Sequence, residues 1–156
     1  MTSMLANVAL ASDRLTPPDR TTRSAVRVDD ARAAARPILV VDDDPEILAM
    51  LRDFLESEGL AVRTAANGAE ALEALDEVMP ALILLDMRMP VLDGWAFAKR
   101  FHERALTYPI VVMTAAESAR RWAEEIGATG YIAKPFDVNE LLETIERHRQ
   151  KDSKPN

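Results

Sequence analysis

Residues 81–90 constrain the fold more than any other part of the chain. They read Ala-Leu-Ile-Leu-Leu-Asp-Met-Arg-Met-Pro, with five apolar residues in a row before Asp86. Such a run is too short for a typical helix and is typical of a parallel-sheet strand buried on both faces. Ligands bind at the carboxyl ends of these strands, so Asp86 lies where a carboxylate can do chemistry. The alternative is a turn role, because Asp is common in turns before proline.

The chain beyond this stretch alternates short apolar runs with amphipathic ones. The pattern predicts five strands, at residues 38–41, 60–65, 81–86, 109–114 and 130–134, each followed by a helix. The fourth helix is predicted to span residues 118–126. Strands alternating with helices predict an α/β fold in which a parallel sheet has helices on both faces. Five strands favour a doubly wound, flavodoxin-like sheet of order 2-1-3-4-5.

The predicted domain spans residues 37–149. Residues 1–36 lack strong periodicity, contain Thr16-Pro17-Pro18-Asp19 and are predicted to be a mostly disordered arm. Residues 150–156 are predicted to be a disordered tail. No second domain is expected, because so little chain follows the last predicted helix.

Charge and composition limit the partners that we expect. The net charge is -7, made up of +2 in residues 1–36 and -9 in the remainder, which argues against direct binding of nucleic acid by the body of the chain. No apolar run approaches the ~18 residues that cross a bilayer, so no membrane association is expected. The chain has no cysteine, which excludes thiolate chemistry and fits a cytoplasmic protein.

Polar residues stand at the ends of four predicted strands: Asp42 and Asp43, Asp86, Thr114, and Lys134. In the predicted order these strands are neighbours, so the side chains should line one crevice. Carboxylates so close together repel one another and favour a hard divalent cation, for which Mg²⁺ fits the oxygen ligands. A carboxylate can also attack phosphorus and form an aspartyl phosphate, with Mg²⁺, Lys134 and Thr114 on the transferring oxygens.

Each residue of this set has a simpler interpretation on its own. Lys134 would be a surface charge, Thr114 a strand former, and residues 42–44 a helix-capping cluster. Their joint occurrence at successive strand ends favours a shared site. A calcium-binding EF-hand loop is excluded because Ile47 stands where that loop requires glycine.

Taken together, these residues closely resemble the receiver domain of bacterial two-component response regulators, in particular stand-alone receivers of the chemotaxis-regulator type. The resemblance covers residues 37–149. The matching segments are Val40-Val41-Asp42-Asp43-Asp44, Leu84-Leu85-Asp86-Met87-Arg88-Met89-Pro90 with Asp93-Gly94, Val112-Met113-Thr114-Ala115, and Tyr131-Ile132-Ala133-Lys134-Pro135-Phe136.

The resemblance implies that Asp86 accepts a phosphoryl group from a phosphohistidine on a sensor histidine kinase or a histidine phosphotransfer protein. It implies a Mg²⁺ ion held directly by Asp43, Asp86 and the backbone carbonyl of Arg88. Asp42 would act through a bound water. Arg88 departs from the smaller polar residues that are frequent at its position, and we predict that it reaches over the phosphoryl group and alters its hydrolysis.

The resemblance also implies a conformational switch. Thr114 and Lys134 would contact the phosphoryl oxygens, and Tyr131 would turn inward when Thr114 is drawn to the phosphate. The Lys134-Pro135 bond is expected to be cis. The partner surface would comprise the fourth helix, fifth strand and fifth helix, with Tyr131 on it, and Trp122 is either a partner anchor there or half-buried packing.

The function predicted from the sequence is a phosphorylation-activated signalling switch, which binds a downstream protein effector or relays the phosphoryl group. It would not be an enzyme beyond its own phosphorylation and autodephosphorylation. The alternative is a small Mg²⁺-dependent phosphohydrolase with an aspartyl-phosphate intermediate. Asp42-x-Asp44 resembles the haloacid dehalogenase pattern, but Pro45-Glu46 departs from it. A third possibility is a phosphate-independent scaffold, against which the complete residue set argues.

Overall fold

Five parallel strands form one sheet with the predicted order. The computed structural model describes residues 36–152, with side chains to residue 149, so residues 1–35 and 153–156 of the predicted arm and tail lie outside it. The strands lie in the order β2-β1-β3-β4-β5, where they are β1 (Ile38–Val41), β2 (Val62–Ala65), β3 (Leu82–Asp86), β4 (Ile110–Ala115) and β5 (Gly130–Lys134). The helices are α1 (Pro45–Ser57), α2 (Gly68–Glu77), α3 (Gly94–Glu103), α4 (Ala116–Ile126) and α5 (Val138–Asp152). The predicted α/β fold is confirmed.

Helices cover both faces of the sheet, as predicted. One core cluster joins the sheet to α2, α3 and α4, with Leu72, Phe97 and Ile126 among its buried residues. The other joins the sheet to α1 and α5, through Leu51 and Leu141 among others. Within residues 36–152, no helix is both long and apolar enough to cross a membrane.

Strand β2 begins later than predicted because its first residues close the preceding helix. Gly59 adopts a left-handed conformation with φ of 83°, and its N–H donates to Glu56 O. The N–H of Leu60 donates to Leu55 O, which completes a Schellman motif. Leu60 is therefore committed to the end of α1, and the strand starts at Val62.

Strand β4 and helix α4 follow one another without a loop. Ala115 pairs with Lys134 in β5, so β4 extends one residue beyond Thr114. Helix α4 then begins at Ala116, earlier than the predicted residue 118, since alanine has the highest helix propensity. Ala115 occupies the N-cap position and offers no side-chain hydrogen bond there. The N-terminus of α4 is thus held without a side-chain cap, next to the carboxyl edge of the sheet.

The loop between β3 and α3 folds back tightly on the end of β3. The N–H of Gly94 donates to Met87 O at 2.9 Å, and a Cβ on Gly94 would come 2.8 Å from Met87 Cα, so only glycine fits. Val91, in the middle of the loop, has φ of 71° and is 83% exposed. A β-branched residue in this region is strained, since its Cβ crowds the backbone.

We expect Val91→Gly to stabilise the protein by about 1 kcal/mol, because relief of strain exceeds the entropy that glycine adds to the unfolded chain. Urea unfolding followed by circular dichroism measures the change. The matched control is Met79→Gly, since Met79 is 66% exposed and does not have a positive φ. Equal effects of the two substitutions would show that Val91 is not strained.

Candidate functional site

The strand register brings the predicted site residues to one edge of the sheet. Val41 pairs with Leu85, so Asp42 and Asp86 follow at the same level of neighbouring strands. Asp86 pairs with Met113 on β4, which pairs with Ile132 on β5. Since side chains alternate across a strand, Lys134 has the same facing as Ile132 and extends past the edge toward the two carboxylates.

Lys134 is the cation of the site. Its Nζ lies 2.7 Å from Asp42 Oδ2 and 3.9 Å from Asp86 Oδ1. Asp42 is 1% exposed, and its other oxygen, Oδ1, accepts a hydrogen bond from the N–H of Asp44 at 2.9 Å. A buried carboxylate requires such compensation, because desolvation of an unpaired charge is costly.

Asp43 completes an acidic cluster with Asp42 and Asp86. One oxygen of each carboxylate lies within 4.8 Å of the others, and Asp43 is exposed while the other two are buried. Opposite ligands of an octahedral Mg²⁺ stand about 4.2 Å apart, so small side-chain movements bring three oxygens into its coordination shell. The donor set consists of hard oxygens and one side is open to water, so these residues fit Mg²⁺.

Asp44 has a different role from its two neighbours. Its Oδ1 accepts from the N–H of Glu46 at 2.9 Å and caps the N-terminus of α1. The helix-capping interpretation of residues 42–44 therefore applies to Asp44, while Asp42 and Asp43 belong to the acidic cluster.

Asp86 carries a strained charge. The pKa of this carboxyl is raised from 3.8 to about 6, chiefly by burial; Lys134 opposes the rise, and the charges of Asp42 and Asp43 add to it. The N–H of Arg88 also lowers the pKa of Asp86 and lies 3.5 Å from its Oδ1. Added positive charge would favour the ionised form, as expected for a metal ligand or nucleophile.

Thr114 and Tyr131 lie on a common face of the sheet. Thr114 is 5% exposed and pairs with Ala133 on β5, whereas Tyr131 pairs with Val112 and is 47% exposed. Alternation gives Thr114, Val112 and Tyr131 the same facing, opposite to that of Lys134. The side chains of Thr114 and Tyr131 thus lie on the same face of neighbouring strands, with Thr114 buried and Tyr131 about half exposed.

Arg88 and Trp122 form a contact that the sequence did not predict. The guanidinium carbon of Arg88 lies 5.1 Å from the centre of the Trp122 ring, so the side chain rests on an indole of α4. Its predicted reach over a phosphoryl group stays a prediction. Trp122 is only 6% exposed and packs edge-on against Trp95, so the structure favours packing over the partner-anchor interpretation.

Sequence comparison identifies the family. The model of the family described as "Response regulator receiver domain" matches residues 38–146. This chain belongs to that family. The receiver domain is 40% identical over 123 residues to the DNA-binding transcriptional regulator NtrC of Escherichia coli, and the match covers 76% of this chain and 26% of NtrC. It is 39% identical to the transcriptional regulatory protein GltR of Pseudomonas aeruginosa, over 73% of this chain and 49% of GltR.

Solved structures of receiver proteins share its fold. The chemotaxis protein CheY4 of Vibrio cholerae superposes with a TM-score of 0.67 at 33% identity, covering 74% of this chain and 99% of CheY4. The response regulator TrrA of Thermotoga maritima, solved in complex with Mg²⁺ and BeF, gives a TM-score of 0.64 at 31% identity, covering 72% and 97%. The chain therefore spans a whole single receiver but about a quarter of the length of NtrC.

Two features of the receiver domain were missed or only implied by the sequence. The Lys134-Pro135 peptide bond is cis, as the family resemblance implied. The indole N–H of Trp95 donates to Glu125 on α4 at 3.0 Å, which ties α3 to α4 beside the site. The spacing of residues within one helix does not indicate a hydrogen-bond partner on another helix, so no sequence pattern could have found this contact.

We expect Asp86→Asn to stabilise the receiver domain at neutral pH without divalent cations. The raised pKa of Asp86, about 6, means that the folded state binds this proton more tightly than the unfolded chain, so stability falls as pH rises through about 4 to 6. Asparagine carries no charge, so the Asp86→Asn variant does not lose this stability as the pH rises. The gain should be about 1–2 kcal/mol above pH 6 after solvent screening, and absent below about pH 4.

Urea unfolding in a chelating buffer from pH 3.5 to 7.5 measures this difference. The control is Asp53→Asn on the exposed face of α1, which removes an acid that is not buried. If the stability gained by Asp86→Asn stays constant with pH, the pKa of Asp86 is not raised in the folded state.

Proposed function

We propose that this receiver domain is a phosphorylation-activated signalling switch with Asp86 as the phosphoacceptor. The observation that carries the proposal is the convergence of Lys134 on Asp86 and Asp42 within an acidic cluster that fits Mg²⁺. A nucleophilic carboxylate, a cation and a metal-binding cluster are what phosphoryl transfer to a side chain requires.

The proposed transfer makes one bond and breaks one. An Asp86 oxygen attacks the phosphorus of a phosphohistidine, the P–N bond breaks, and its electron pair returns to the imidazole, which takes up a proton. The carboxyl is mostly ionised at pH 7 because its pKa, though raised, is about 6. Lys134 stabilises the charge on the transferring oxygens, and the hydroxyl of Thr114 donates to one of them. Later attack by water on phosphorus releases inorganic phosphate and restores the carboxylate.

Magnesium would be held by Asp43, Asp86 and the backbone carbonyl of Arg88, with Asp42 acting through water. When bound, the ion neutralises the charge that collects on the phosphoryl oxygens. The side chains of Asp42 and Lys134 would orient the cluster, because their contact fixes both groups beside Asp86.

The proposed switch runs through β4 and β5. A phosphoryl group that draws Thr114 toward Asp86 leaves space on the face shared with Tyr131, and the exposed ring can then turn inward. The surface of α4, β5 and α5 would change shape and select a protein effector. Tyr131 is the expected reporter on that surface.

The partners are proposed by chemical class. A sensor histidine kinase or a histidine phosphotransfer protein would supply the phosphoryl group, and a downstream protein would bind the activated surface. TrrA was solved with Mg²⁺ and BeF, which supports a phosphoryl-like ligand at the equivalent site here. NtrC is named as DNA-binding, but the match covers 26% of it, and direct nucleic-acid binding is not proposed for the chain described here.

We do not propose an enzyme that turns over external substrates. No contact among residues 36–152 favours the phosphohydrolase alternative, whose resemblance was limited to Asp42-x-Asp44, and Asp44 caps α1. The domain would catalyse only its own phosphorylation and dephosphorylation. Its cytoplasmic location stays a prediction.

We expect Asp86→Asn to abolish labelling by acetyl phosphate and Mg²⁺, since the amide is not a nucleophile toward phosphorus. Intact-protein mass spectrometry measures the added phosphoryl group. The matched control is Asp93→Asn, because Asp93 caps α3 through Ala96 N and asparagine caps equally well. Stoichiometric labelling of the Asp86→Asn variant would disprove the phosphoacceptor assignment.

We expect Mg²⁺ to raise the thermal stability of the wild type and to have little effect on Asp43→Asn. Binding to the folded state alone contributes RT ln(1 + [Mg²⁺]/Kd), about 1.4 kcal/mol at tenfold the Kd, and Asp43 supplies an exposed ligand whose loss should not harm packing. Scanning calorimetry with and without Mg²⁺ tests this, with Asp53→Asn as a control acid. An equal stabilisation of the Asp43→Asn variant would exclude it as a ligand.

A further inference from the structure

Arg88 connects the proposed phosphoacceptor to helix α4 through its two ends. Its backbone N–H lies 3.5 Å from Asp86 Oδ1, and its guanidinium carbon lies 5.1 Å from the centre of the Trp122 ring. The ion pairs within residues 36–152 do not include Arg88. The guanidinium thus stacks on the Trp122 ring, although Asp86 of the acidic cluster is only two residues away in the sequence.

The indole that receives this guanidinium is fixed to α4. Trp122 is 6% exposed, and its ring centre lies 4.8 Å from that of Trp95 at an interplanar angle of 71°. Trp95 in turn donates to Glu125 Oε2 at 3.0 Å. A ring packed in this way cannot follow the guanidinium, so the stacking contact exists only while α4 keeps its place against α3.

A phosphoryl group on Asp86 would compete with the indole for Arg88. Arginine binds phosphate oxygens in a bidentate manner with charge-assisted hydrogen bonds, which are stronger than stacking of an exposed guanidinium on an aromatic face. The side chain starts two residues beyond Asp86, and its backbone already contacts that carboxylate. The flexible side chain of Arg88 can therefore contact either the Trp122 ring or the phosphoryl group, but not both together.

We propose that Trp122 is a positioning residue for Arg88, and that the guanidinium exchanges between the Trp122 ring and the phosphoryl group on Asp86. The inference rests on the proposed function and extends it. In the unphosphorylated state Arg88 helps to hold α4 through the indole. In the phosphorylated state it leaves the indole, shields the phosphoryl oxygens from water and loosens α4, whose N-terminus has no side-chain cap. The lifetime of the phosphoryl group and the placement of α4 are thereby coupled.

Removal of the indole should lengthen the phosphorylated lifetime. Without the competing ring, Arg88 spends more time on the phosphoryl oxygens. A cation–π contact made by an exposed guanidinium has a strength that corresponds to a phosphorylated lifetime about two- to fivefold longer than that of the wild type. The effect must vanish when residue 88 carries no cation, which separates competition from general loosening of the helix.

The first test is a double-mutant cycle on dephosphorylation of the full chain. Protein labelled with acetyl phosphate and Mg²⁺ is freed of donor, and loss of the phosphoryl group is followed for wild type, Trp122→Leu, Arg88→Met and the double variant. We expect Trp122→Leu to lengthen the lifetime about two- to fivefold in the wild-type background and to have no effect in the Arg88→Met background. The matched control is Phe101→Leu, which removes a buried ring of α3 whose aromatic contacts are with Phe97, His102 and Tyr108, and we expect its lifetime to stay within about twofold of wild type.

A change by the same factor in both backgrounds, or no change in either, would overturn the inference. If the wild type itself takes no phosphoryl group on Asp86, the proposed function fails first. Labelling of the wild type followed by an additive cycle overturns only the coupling.

The second test does not depend on hydrolysis or on a core substitution of Trp122. In a Trp95→Phe background Trp122 is the single tryptophan, because the chain has two. We expect Mg²⁺ with beryllofluoride to change its fluorescence when Arg88 is present, and to change it far less in the Arg88→Met variant. Equal responses of the two proteins would contradict movement of the guanidinium away from the indole.

Discussion

The contact between Asp42 and Lys134 is the interaction on which the site depends. The two residues are 92 positions apart in sequence, and their side chains meet at 2.7 Å across the ends of β3 and β4. Asp42 is almost wholly buried, so loss of its partner would leave an uncompensated charge at a cost of about 3–5 kcal/mol. The sheet must therefore keep β1 and β5 in a fixed relation on either side of Asp86. This requirement places Asp86, the proposed phosphoacceptor, beside Lys134 and the carboxylates of Asp42 and Asp43.

Asp86 is held in a state of higher free energy than an exposed aspartate. Desolvation and two neighbouring carboxylates oppose its charge, and Lys134 offsets only part of this effect. A bound divalent cation would relieve the repulsion, and the proposed phosphoryl transfer would convert the carboxylate to an acyl phosphate. The strained backbone at Val91 lies in the loop that follows. The unfavourable charge of Asp86 and the strained backbone of Val91 thus lie close together in the chain. The stability of the two apolar core layers offsets their cost.

Helix α4 is the element best placed to respond to events at Asp86. It follows β4 directly after Thr114 and Ala115, with no side-chain cap at its start. Its buried residue Trp122 contacts Arg88, and its exposed residue Glu125 accepts a hydrogen bond from Trp95 of α3. Asp86 is therefore connected to α4 in two ways, through strand β4 and through the side chain of Arg88. A shift of α4 changes the contacts in both connections. This is the physical basis for coupling Asp86 to the surface formed by α4, β5 and α5.

The sequence by itself determined the layers of the fold and the composition of the site. Short apolar runs fixed the strands to within two residues, and polar residues at their ends identified Asp42, Asp86, Thr114 and Lys134, because strand-end placement depends only on local pattern and parallel order. The tertiary structure decided which of these side chains touch, since the 2.7 Å contact between Asp42 and Lys134 depends on the register of four neighbouring strands. The tertiary structure also decided which residues the side chains of Trp122 and Arg88 contact. Whether an indole faces a partner or a neighbouring helix is set by packing between α3 and α4, and no periodicity within a single helix encodes that choice.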